Sequence, residues 1–399
     1  MEHSNETFAQ GDKCLLFLNL PIDSSLFSRY PISKLPIELA SGIYLARTPQ
    51  HALACAAGTS ESKERNIGLA AWVYPGYGLG MGICNACIKV DATVPAALRE
   101  RYLWFMVEAL YLAKPLYIHM AGSFTYGNEE EGFLGRMPSR IDHRSNISLN
   151  PFFSHANGES LLKYNEDDLK HASIYFSRIV RIFEMKQTAP RPYFNLKAFF
   201  EATLWERSIY ASTSFSKLFP LMDSFAGNPT HDHDKKTSKR LSLFLKEITG
   251  PLLAKSLSEE EIRLRLLSIW HLHRAPDLHG YLKEPDLPVA DVAKQDPIDR
   301  PELKDLFDLM EFARLCLIKM LLLDEAAFQE YCQIPIPRQK YKNKDAKVNA
   351  ERAREAASKA FFEEKSYPTR RSLAAYTDFA GEPVIEAPEE EAAMAVITS

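Results

Sequence analysis

The sequence predicts an α+β N-terminal domain, an all-α helical bundle and a charged, partly disordered tail. Three observations predict it. Up to about residue 187, short apolar runs flanked by turn formers alternate with helical patterns. From Phe194 to Cys332, nearly every segment places apolar residues at helical spacing. After residue 336, large apolar residues become scarce and charge gathers into blocks. The expected domains are therefore 1–187, a sensor or targeting domain, 193–335, the bundle, and 336–399, a mostly flexible tail.

The chain has 399 residues, 46% of them hydrophobic and 25% charged, enough to bury the cores of two or three domains. Its 48 Lys and Arg against 52 Asp and Glu give a net charge of −4. That excludes a generally basic nucleic-acid coat, so RNA binding has to be local. No apolar run reaches the roughly eighteen residues of a bilayer span, and the polar start MEHSNETFAQGDK lacks the pattern of a secretory signal. The expectation is a cytoplasmic protein without membrane attachment. Its six cysteines are then reduced. Cys84 and Cys87 form one CxxC, half of a zinc site, and read as buried thiols.

In the first region, CLLFLNL (14–20), IGLAAWVY (67–74) and PLYIHMAGSF (115–124) read as strands. AALRERYLWFMVEALYLAK (96–114) reads as a helix with Leu98, Tyr102, Phe105 and Leu110 on its apolar face. DDLKHASIYFSRIVRIFEM (167–185) reads as a second. The Gly-rich PGYGLGMG (75–82) lacks the Lys-Ser/Thr of a phosphate loop and reads as a turn. The polar stretch around Glu129, Glu130, Glu131, Asp142, His143 and Arg144 reads as a surface loop, with no ligand specified. Pro190 and Pro192 then predict a break and a semi-rigid linker at 187–193.

Four helical segments follow. The first begins at Phe194, is interrupted at Pro220 and ends at Gly227. The second, 235–248, aligns Leu241, Phe244 and Leu245. The third opens with Ser258 and Glu261, whose side chains satisfy free amides at a helix start. The fourth opens with Asp299 and Glu302, and repeats Leu303, Leu306, Met310, Ala313, Leu317 and Met320. Such stripes cover one another in a bundle. In the tail, Arg338–Arg371 carries 11 Lys and Arg against 5 Asp and Glu, while Ser372–Ser399 carries 6 acidic residues and no basic one. The blocks suit folding back on each other, or a phosphate backbone on the basic one.

The densest polar cluster ends the third bundle helix: His271-Leu-His273-Arg274-Ala-Pro-Asp277-Leu-His279-Gly280. Pro276 cannot continue the helix. On a straight helix Arg274 and His279 point about 140° apart, so a kink is needed for both to face one cleft. A guanidinium holds two phosphate oxygens and stabilises charge that grows on them. A neutral imidazole exchanges protons near pH 7. In RNA the ribose 2′-hydroxyl supplies the nucleophile. This chemistry requires no metal or cofactor. Taken alone, the cluster also fits a helix-end arginine with a capping histidine. Thr230-His231-Asp232-His233-Asp234 offers metal-ligand types, but reads as a polar loop joining two helices.

Region 194–332 resembles a HEPN domain of the Apea-like kind found in bacterial defence and toxin proteins. Such domains are helical bundles with Arg-x(4–6)-His after the third helix, here Arg274 to His279 followed by Gly280. Leu221-Met-Asp223-Ser-Phe225 is similar to the segment that closes the family's first helix, and Lys236 with Arg240 to the basic start of its second. The sequence departs at Ala275-Pro276, where relatives carry a polar residue after the arginine. The resemblance implies a metal-independent endoribonuclease, assembled as a homodimer, that acts on RNA and leaves a 2′,3′-cyclic phosphate. His279 would transfer the proton and Arg274 would stabilise the transition state. Asp223 would orient Arg274 or support the fold. His271 and His273 would contact phosphate or cap the helix, and Asp277 would stand in for the missing polar residue. Anti-phage defence or toxin-like growth arrest is the implied role. Two other readings stand beside it: a HEPN bundle without catalysis that binds RNA or a nucleotide or dimerises, and an adaptor whose N-terminal domain recruits partners.

Overall fold

The structure is a computed structural model of the 399-residue chain, and it describes residues 8–19, 36–47, 86–114, 119–126, 164–203, 211–230, 232–245, 257–274, 301–337 and 340–364. The chain divides into two compact units. One comprises Met1–Val180, Phe200–Ser214 and Leu282–Phe307, the other Arg181–Phe199, Phe215–Tyr281 and Asp308–Ser399.

The first unit holds an antiparallel five-stranded sheet. Its strands are β1 (Lys13–Asn19), β2 (Ile37–Ala40), β3 (Ile43–Arg47), β4 (Ala86–Val90) and β5 (His119–Thr125), in the order β2-β3-β4-β1-β5. β1 and β5 fall on two of the apolar runs; the third, 67–74, lies outside the described residues. β2, β3 and β4 are additions to the sequence reading. They are four or five residues long and mix polar with apolar positions, so their pairing carries the signal that their composition lacks. β1 pairs Leu15 with Ile88, and β3 pairs Leu45 with the same residue, all three buried. Cys14 and Cys87 are buried beside each other, and burial with that neighbour pushes the Cys14 thiol well up. Cys84 lies outside the described residues.

Helix α1 (Ala96–Ala113) packs across β1 and β4. Its buried positions include Leu103, Met106, Val107, Leu110 and Leu112, whereas Leu98, Tyr102 and Phe105 are half-buried. The reason is that α1 is covered on more than one side. Tyr102 meets Phe176 of α2 (Glu166–Glu184) edge-on at 5.5 Å. The Lys114 ammonium reaches Asp168 at 2.9 Å, and the Tyr164 hydroxyl donates to the Lys114 carbonyl at 2.8 Å.

The expected linker at 187–193 is a helix start instead. α3 (Pro190–Thr203) opens on Pro190, whose fixed φ and missing amide suit a first helical position. Further along come α4 (Ala211–Phe225), α5 (His233–Leu245), α6 (Glu259–Ile269), α7 (Pro301–Leu321), α8 (Glu325–Gln333) and α9 (Lys344–Lys359); α5, α6, α8 and α9 lie wholly in the second unit, and the unit boundaries fall within α2, α3, α4 and α7. α4 runs through Pro220 without ending there. α6 begins on the expected capping box: Ser258 accepts from the Glu261 amide, and Glu261 accepts from the Ser258 amide at 2.7 Å. In α7 the expected stripe is buried at Leu306, Met310, Ala313, Leu317 and Met320.

Within the tail, expected to be partly helical and mostly flexible, residues 344–364 are helical. α9 and the π turn Ala360–Glu364 that follows it are part of the helical core, with Arg354, Ser358, Phe361 and Phe362 buried. Phe362 meets Phe244 edge-on at 5.6 Å, and Phe361 lies 5.5 Å from Tyr331. Among the described residues no helix is long and apolar enough to cross a membrane.

Candidate functional site

The site is built on the end of α6. After Ile269 the backbone leaves α-helical geometry for a π turn, Trp270–Arg274. Widened turns of this kind recur at functional sites. Arg274 is the last residue of the turn; Ala275, Pro276, Asp277 and His279 lie outside the described residues.

The turn is seated on α4 by aromatic contacts. Phe215 and Phe219, one helical turn apart, stack at 5.7 Å. Trp270 lies 4.9 Å from Phe219, and His273 stacks face-to-face on Phe215 at 4.2 Å and 9°. His273 is 6% exposed, which makes it a packing residue that anchors the turn. Its burial leaves little of the ring to meet a phosphate, so the capping or packing role is the one the geometry favours. Midway along α6, Arg265 reaches the buried Asp308 of α7 at 2.6 Å.

His271 points the other way. Its side chain is 60% exposed, and its Nε2 lies 2.9 Å from Asp234 Oδ2. Asp234 sits in the first turn of α5. Its partial burial raises the carboxyl pKa, but the bonds from His271 and from backbone amides outweigh this and hold it below the ordinary carboxylate range. The expected polar loop at 230–234 is thus in part a helix start, with His233 and Asp234 already helical.

Asp223, near the end of α4, accepts a hydrogen bond from the Thr237 hydroxyl at 2.7 Å and lies 4.0 Å from His233 Nδ1. It therefore joins α4 to α5, a fold-supporting contact. Lys236 and Arg240, the basic residues at the head of α5, both meet Glu355 of α9 at 2.8 Å. Arg240 also meets Glu363 at 3.1 Å. These bases are spent on an internal network, with Arg240 1% exposed.

The structure brings Asp223, His233, Asp234, Thr237 and His271 to the α4–α5–α6 end of the unit. Asp234 is the residue that sequence reasoning missed. Its only signal was the Thr230–Asp234 string, and its partner lies 37 positions away. Among the described residues no group of three His, Cys, Asp or Glu is arranged to hold a metal ion. Compared with family models, curated proteins and solved structures, the chain matches none.

Proposed function

We propose that this chain is a metal-independent endoribonuclease of HEPN type that works as a homodimer on RNA, in anti-phage defence or toxin-like growth arrest. The observation that carries the reading is the π turn at Trp270–Arg274, which alters the helix at the residues leading into Arg274-x4-His279. On this reading Arg274 stabilises the charge that grows on the phosphoryl oxygens. His279 protonates the departing 5′-oxygen. Attack by the 2′-hydroxyl gives a 2′,3′-cyclic phosphate. Supporting roles go to Asp223, through the α4–α5 joint, and to His273, through the Phe215 stack.

A second reading is a bundle that binds RNA without cutting it. Ala275-Pro276 directly after Arg274 favours it, since no polar side chain stands there to orient the substrate. One experiment separates the two. The full chain is incubated with RNA in EDTA, as wild type, Arg274→Ala and His279→Ala. The ribonuclease reading expects EDTA-resistant cleavage that falls by about 10²–10⁴-fold in each variant. Binding without cleavage by wild type selects the second reading. Cleavage by His279→Ala at the wild-type rate contradicts the first.

A further inference from the structure

We propose that His271, held by Asp234, is the proton acceptor for the ribose 2′-hydroxyl, with Asp234 as its positioning residue. This inference rests on the ribonuclease reading and deepens it, because that reading assigns a group to the leaving oxygen and none to the nucleophile.

The partner of the His271 ring fixes its tautomer. Asp234 is held in its ionised form, and an ionised carboxylate accepts hydrogen bonds without donating any. The 2.9 Å contact is therefore Nε2–H donating to Oδ2. In the neutral ring the lone pair then falls on Nδ1, the nitrogen that takes up a proton. The ring is 60% exposed, so a substrate can reach it, whereas His273 two residues on is buried against Phe215. Two rigid elements fix the pair: the first turn of α5 carries the carboxylate, and the π turn, clamped by the Phe219–Trp270 and Phe215–His273 contacts, carries the imidazole. The arrangement is that of a base whose orientation is set by a third group.

The step balances as follows. Nδ1 of His271 takes the 2′-hydroxyl proton as the 2′-oxygen bonds to phosphorus. The bond from phosphorus to the 5′-oxygen breaks, and that oxygen takes a proton from the His279 imidazolium. The products are a 2′,3′-cyclic phosphate and a 5′-hydroxyl. Exchange with water then returns both rings to their starting protonation.

The test uses the full chain and a labelled single-stranded RNA in EDTA, measuring kcat and KM. His271→Ala is expected to lower kcat by about 10²–10⁴-fold with KM within about twofold, and added imidazole is expected to restore part of the rate. Asp234→Asn is expected to lower kcat about tenfold with KM unchanged, and Asp234→Glu to recover most of it. His271→Gln, checked by urea midpoint, replaces His271→Ala if the latter is misfolded. A His271 variant that folds and cleaves within about threefold of wild type overturns the inference. If His279→Ala is inactive in the same series, the ribonuclease reading survives that failure. A loss that appears in KM, or that imidazole does not relieve, also overturns the role. Wild-type protein that does not cleave RNA overturns both.

Discussion

At Gly227 the backbone lies at φ +81°, and an added Cβ would overlap the Ser358 hydroxyl of α9. The Ser358 hydroxyl also donates to the Gly227 carbonyl at 3.2 Å, so the two segments meet as closely as backbone and side chain allow. Gly227→Ala combines a left-handed backbone cost with overpacking, and is expected to destabilise the protein by about 2–4 kcal/mol in urea unfolding. Ser258→Ala removes one half of a capping box at an exposed helix end, and is expected to cost about 1 kcal/mol by the same measurement. The charge network makes a pH prediction. Burial raises the pKa of Glu355 and Glu363, but Lys236 with Arg240, and Lys239 with Arg240, outweigh it and hold both carboxyls below their ordinary range. A depressed folded-state pKa gives stability that is present above the unfolded value of about 4.3 and is lost as pH falls through the folded value. Unfolding midpoints are therefore expected to drop below about pH 4.5, and to drop less steeply in Glu355→Gln/Glu363→Gln. An equal acid slope in that variant contradicts the assignment.

At the scale of elements, what was legible depended on whether a segment's signal is local. Ser258 and Glu261 are three residues apart, and their capping box was readable because both partners belong to one turn. The stripe of α7 was readable for the same reason. β2, β3 and β4 were not, since a strand of four or five residues becomes distinct only when it pairs, as Ile43 with Val90 does. The packing of α9 against the bundle was not legible because its inward face is built from small and charged residues. Arg354 donates to the Asn228 carbonyl at 3.0 Å, and Ser358 lies on Gly227, contacts that hydropathy does not register. Its large apolar residues, Phe361 and Phe362, come only in the turn that follows. Phe362→Ala is expected to cost about 3–5 kcal/mol, as for a filled core position; a loss under 1 kcal/mol in urea unfolding would show that α9 is peripheral. Pro190 was misread because proline stops a helix from within and starts one from its first turn.

Across the whole molecule, the net charge of −4 coexists with a local supply of cations, and the structure shows where part of that supply goes. Lys236, Lys239 and Arg240 are neutralised by Glu355 of α9 and Glu363 of the turn that follows it, and Arg191 is buried with bonds to the carbonyls of Ser224, Ile334 and Pro335. Arginine content alone is thus a poor guide to a phosphate surface here. The Arg274-x4-His279 pattern is readable in the sequence because it occupies one short stretch, and its residues from 275 on lie outside the described residues. The His271–Asp234 pair is not readable there, because two helices have to pack before those residues meet. On the proposed ribonuclease reading, the ribose supplies the nucleophile and cleavage needs no metal. The most direct test is the mass of the 3′ ends left on RNA cut by the full chain in EDTA. The account predicts 2′,3′-cyclic phosphate ends that disappear with His279→Ala. Intact RNA, or fragments ending in a 3′-hydroxyl, would contradict it.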